Sequence, residues 1–109
     1  MATNYKVLGQ LNPSATTATD LYAVPSATQA VVSTLVISNT SSSAATYNIA
    51  VRVAGASLVT KQYIAYGVPL SGNDSTALTL GISLGALDVI TVYSSTANLV
   101  FTAFGSELS

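Results

Sequence analysis

The sequence contains no cysteine, no histidine and no tryptophan, and only seven of its 109 residues carry charge. Each absence closes a route. Without cysteine there is neither a disulfide framework nor thiolate chemistry. Without histidine the commonest general acid–base group and the commonest metal ligand are both missing. Three cations, Lys6, Arg52 and Lys61, lie far apart in the chain, whereas affinity for nucleic acid needs clustered positive charge; nucleic acid is not an expected partner. No apolar run approaches the roughly 18 residues of a membrane helix; the most apolar region, Ala30 to Ile37, is interrupted by Ser33 and Thr34. The opening Met-Ala-Thr-Asn-Tyr-Lys has no basic region followed by an apolar stretch, so no secretory leader is expected. The expectation is a soluble product made in the cytoplasm of whichever cell translates it, with no membrane partner.

Apolar residues make up 50% of the sequence and charged ones 6%, against about 25% charged in an average protein. Disordered chains show the reverse, low hydrophobicity with high charge, so this chain should fold, and at its length one domain spanning 1–109 is expected. A surface of Ser, Thr, Ala and Asn is hydrated yet has little charge to desolvate when another protein covers it. Such a composition suits a chain that lives packed against others, and few ion pairs should leave its assembly weakly sensitive to salt.

Period-two alternation dominates. Tyr47, Ile49, Val51 and Val53 fall on one face of a segment whose other face carries Asn48, Ala50 and Arg52; Leu78, Leu80, Ile82 and Leu84 alternate with Ala77, Thr79, Gly81 and Ser83. This is the mark of half-buried strands. Turn residues divide the chain into about eight strands, near Tyr5–Leu11, Thr19–Val24, Gln29–Asn39, Ala44–Ala54, Lys61–Tyr66, Ser75–Leu84, Asp88–Ser94 and Leu99–Phe104. The predicted fold is all-β: an antiparallel β-sandwich or jelly-roll-like domain, the pattern leaving the two undivided.

No Gly-x-Ser-x-Gly elbow and no phosphate-cradling glycine motif is present, and neither Lys6 nor Lys61 sits in a context that would desolvate it beside a serine. Asp20, Asp74 and Asp88 lie at strand starts or turns, where aspartate usually bonds nearby backbone amides. A carboxylate pair or a Ca²⁺ site is the functional alternative; only Asn73 and Asp74 adjoin as oxygen donors, so no catalytic, cofactor or metal site is assigned. Asn39-Thr40-Ser41 and Asn73-Asp74-Ser75 match glycosylation sequons and are read as chance. Of the aromatics, Tyr47 and Phe101 sit on apolar faces and should be core. Tyr63 and Tyr66 lie on opposite faces of one strand by alternation, so at most one can be buried. Exposed tyrosine offers large contact area at low entropic cost, which makes these two the candidate interface residues.

Several segments together resemble small virion structural proteins of tailed bacteriophages, including cyanophages. They are Tyr5-Lys6-Val7-Leu8-Gly9-Gln10, Leu21-Tyr22-Ala23-Val24-Pro25, Asn73 through Ile82, Asp88-Val89-Ile90-Thr91-Val92-Tyr93 and the terminal Phe104-Gly105-Ser106-Glu107. The resemblance implies a non-enzymatic virion protein with no cofactor, whose partners are other virion proteins, the major capsid protein or tail proteins. A capsid decoration, or cement, protein on the head is the first expectation, as a homo-oligomer and a trimer first of all. A tail, baseplate or fibre component that connects parts or binds the host surface is the alternative.

Overall fold

A computed structural model describes residues 3–109; Met1 and Ala2, which open the segment read above for a leader, lie outside the described residues. Nine strands follow one another: β1 Thr3–Leu11, β2 Thr19–Ala23, β3 Gln29–Asn39, β4 Ala45–Arg52, β5 Tyr63–Leu70, β6 Ser75–Leu78, β7 Ile82–Leu84, β8 Val89–Ser94 and β9 Leu99–Leu108. They form two antiparallel sheets. The five-stranded sheet runs β1-β9-β3-β6, with β7 also on β3, and the four-stranded sheet runs β2-β8-β4-β5.

The pairing is that of one long hairpin rolled up. β1 pairs β9, β2 pairs β8, β3 pairs β6 and β7, and β4 pairs β5; the roll is sealed where β9 meets β3 and β8 meets β4. Counting β6 and β7 as one interrupted strand gives the eight strands of a jelly roll, which decides between the two architectures that the sequence left open. The interruption corrects the continuous strand expected over Ser75–Leu84. Gly81 takes φ +62°, a left-handed conformation that turns the chain out of the pleat, and Leu80 is thrown outward to 52% exposure.

Phe101, Leu35, Ile37, Ile49, Ile90 and Leu99 are wholly buried between the sheets. Tyr47 and Phe101 meet edge to face, ring centres 6.2 Å apart, as expected of core aromatics. Buried Asn39 pins the β3–β4 turn: its amide donates to the carbonyls of Ser43 (2.9 Å) and Leu70 (3.3 Å), and its oxygen accepts from the Ser41 amide at 3.0 Å. A side chain so engaged is a structural element of the turn.

At one end of the roll the two sheets are tied by charge. The Tyr22 hydroxyl on β2 donates to the Glu107 carboxylate on β9, and Lys6 on β1 approaches the same carboxylate at 2.7 Å. The bonds from Lys6 and then Tyr22 hold Glu107 below its ordinary pKa of 4.5, against the opposing effect of burial. Burial first, then the bond to Glu107 and its charge, push the Tyr22 phenol well above its ordinary 10.0. The stability linked to Glu107 is therefore complete above about pH 4.5 and lost as the pH falls through its lower native value; that linked to Tyr22 is complete below about pH 10 and lost above it. Urea titrations between neutral and acid pH should show Glu107→Gln losing less stability on acidification than the wild type. Parallel pH profiles for the two proteins would remove the tie from the account.

Candidate interaction surface

The β4–β5 connection and the start of β5 carry a series of exposed apolar side chains: Val53, Leu58, Val59, Ile64 and Tyr66, the last 70% exposed. In the segment from Val53 to Tyr66 the one charge is Lys61. Exposed apolar side chains on a mobile loop would collapse onto the nearest core, but this loop is held by its polar groups. Arg52 at the end of β4 donates to the carbonyls of Gly55 (3.2 Å) and Ala56 (3.1 Å), to the Thr91 hydroxyl at 2.9 Å, and to Asp20 at 2.9 Å. Asp88 accepts from the amides of Ala54 and Gly85, both at 2.8 Å. Gln62 accepts from the Val59 amide at 2.8 Å and donates to the Ser57 carbonyl at 3.0 Å. These bonds explain why the strand expected to reach Ala54 stops at Arg52: residues Val53–Gly55 form a 3-10 turn, with Ala54 at φ 53°.

β5 is the edge of its sheet, a position that tolerates Pro69 within the strand. Its register against β4 slips twice, once between the pairs Tyr47↔Val68 and Ile49↔Ala65 and again before Ala50↔Tyr63. Gly67, at φ +63°, sits in the first bulge, and its amide donates to the side chain of Asn48 at 2.7 Å. The bulges overturn the expectation that Tyr63 and Tyr66 point to opposite faces. Their rings pack edge to face with centres 4.8 Å apart, Tyr63 half-buried and Tyr66 exposed. With Thr60 they line an open cleft of about 560 Å³.

Turn bonding by aspartate holds for two of the three residues. Asp88 is described above, and Asp74 accepts from the Ser75 amide at 2.8 Å. Asp20 differs: it pairs with Arg52 and accepts from the Thr91 hydroxyl at 3.0 Å, because β2, β8 and β4 lie side by side and bring the three together. Among the described residues no three acidic side chains gather as metal ligands. The loop cluster itself was missed in the sequence, where Val53 was placed on the apolar face of the Ala44–Ala54 strand and Leu58 and Val59 fell between two expected strands; the signal was the adjacent pair Leu58-Val59, which breaks alternation.

No family model matches this chain, and no curated protein matches it. In fold it is similar to a chain of the structure of infectious bursal disease virus, Gx strain, with a TM-score of 0.51 at 10% identity; the likeness covers 97% of this chain and 31% of that one. A chain from the Gt strain of the same virus superposes at a TM-score of 0.47, also at 10% identity, over 96% of this chain and 31% of the other. This chain thus spans under a third of the length of the structures it resembles, and what the first likeness shows is the fold.

Proposed function

We propose that this chain is a structural protein of a virus particle, and within that class a capsid decoration protein that cements the head of a tailed bacteriophage through contacts with the major capsid protein. The observation that carries the reading is a jelly roll that presents a polar-stapled loop of apolar and tyrosine side chains in which Lys61 is the one charge. Pinning such a loop before contact lowers the ordering cost of binding, and its tyrosines offer the contact area that interfaces favour. Support comes also from the fold. Jelly rolls recur in viral capsids, and the likeness above is to a virus structure; fold alone does not assign function, so the weight rests on the surface.

Lectins share this architecture as well. The cleft of Thr60, Tyr63 and Tyr66 favours a second reading, a tail or fibre component that presents its aromatic pair to the host surface. Copy number separates the two. A cement protein should be present in purified particles in proportion to the shell subunits, and a tail component in a few copies at one vertex.

On the first reading, Tyr66→Ser should weaken re-attachment to stripped particles about tenfold or more, with the melting temperature unchanged. Undiminished attachment of that variant and of Val53→Ser would end the assignment of this surface. Self-association belongs to the proposal too: a trimer requires two different surfaces of each copy, and a two-fold pair only one.

A further inference from the structure

The outer face of the five-stranded sheet is on the far side of the core from the sheet that carries the tyrosine loop, and its make-up is unusual. An antiparallel sheet facing water normally places polar and charged side chains outward. Here Val7 lies opposite Phe104, Tyr5 opposite Ser106, and Ser106 opposite Val31. Following the register of β1, β9, β3, β6 and β7, the outward positions are filled by apolar residues, Ser, Thr and Gln, and none of them is Asp, Glu, Lys or Arg. The two charges on these strands, Lys6 and Glu107, are paired with each other, and Glu107 is tied to Tyr22 of the other sheet.

We propose that this face is where a second copy of the chain packs, sheet against sheet, as a two-fold pair. The inference rests on the self-association in the reading above and names its surface. Tyr5 (85% exposed), Val7, Val31 and Phe104 leave apolar surface bare on neighbouring strands of this face, and contiguous apolar patches mark interaction sites. Tyr5 projects at a groove of about 540 Å³ that it lines together with Val7, Val31, Phe104, Gly105 and the Glu107-paired Lys6. A projection next to a groove on one face is the self-complementary relief that a two-fold interface needs, each copy's tyrosine entering the other's groove.

The area suffices. Four lanes of strand about 4.8 Å apart and about ten residues long make a plane of roughly 600 Å². Pleat and side chains raise its accessible area toward the ~800 Å² per partner of a standard interface. Charge agrees: a face laid on its own copy brings like charges together, and here the outward strand positions carry none, while the cation that lines the groove, Lys6, is already paired with Glu107. The outer face of the four-stranded sheet, with Asp20 and Arg52 on it, lacks that advantage.

Sedimentation equilibrium on the full chain tests this, with melting curves to verify folding. The wild type should be a dimer with a dissociation constant of about 1 μM or tighter. Tyr5→Ser and Phe104→Ser should each weaken it about tenfold or more while still unfolding in one cooperative transition, and Tyr66→Ser should leave it intact. A wild type that stays monomeric at about 100 μM, a trimer in place of the dimer, or a dimer indifferent to both Tyr5→Ser and Phe104→Ser overturns the proposal. None of those outcomes bears on whether the chain is found in particles, which copy number decides separately.

Discussion

Phe101→Ala should remove about 3–5 kcal/mol of stability, out of the roughly 5–15 kcal/mol available to a small fold. The ring is wholly buried and sits at the centre of a row, with Leu11 of β1 on one side and Ile37 of β3 on the other. It also crosses the interior to meet Tyr47 of the opposite sheet edge to face. Truncation therefore opens a cavity between two sheets that are fixed by their own ladders and cannot close on it, the situation in which the cavity cost adds most fully to the transfer cost. Phe104, three residues on and 39% exposed on the outer face, should lose less than about 1 kcal/mol on the same change. Urea denaturation of the two variants measures the difference directly. A larger loss for Phe104 than for Phe101 would mean that β9 is paired one residue out of register, since a slip by one exchanges the inner and outer faces of a strand.

Much of this architecture was legible because alternation and turn chemistry agree along most of the chain. β3 lies where it was expected, Gln29–Asn39, bounded by the Pro25–Ser26 turn and the Ser41–Ser43 run. Alternation fails where the pleat itself is interrupted. Gly81 breaks one expected strand into β6 and β7; the bulges at Ile64 and at Tyr66–Gly67 bring together two tyrosines that a regular strand would separate. The expected strand ended at Tyr66 and left Gly67 outside it, whereas β5 runs on to Leu70 with Gly67 at its bulge, as an isolated strand glycine suggests. The two ion pairs were not legible at all. Asp20 meets Arg52, and Lys6 meets Glu107, only because the roll lays strands from distant parts of the chain side by side, and no local pattern encodes that order.

The same dependence on long-range order makes Gly105 one of the glycines, with Gly9 and Gly72, that a side chain cannot replace without moving backbone. Gly105→Ala should cost about 3 kcal/mol or more and weaken the β3–β9 pairing. Gly105 lies opposite Val32, at the point where β3 slips register between Val32 and Thr34. A methyl group placed there would come within 1.9 Å of the Val31 carbonyl oxygen, 2.9 Å of its carbon and 3.0 Å of the Val32 Cα. All three are backbone atoms of a central strand, so no rotamer change can relieve the clash; either β9 moves away from β3 or the bulge is lost. Gly81 is the instructive comparison. It is glycine because of its left-handed φ, and nothing lies within 4 Å of the position its Cβ would take, so Gly81→Ala should cost only about 1 kcal/mol, the price of that conformation. Chemical denaturation should rank the two variants in that order, and hydrogen exchange should show faster opening of the Val31–Thr34 and Phe104–Ser106 amides in Gly105→Ala alone. If both substitutions cost the same, the close approach of β9 to β3 contributes nothing beyond backbone preference, and the contact at Gly105 is looser than these distances require.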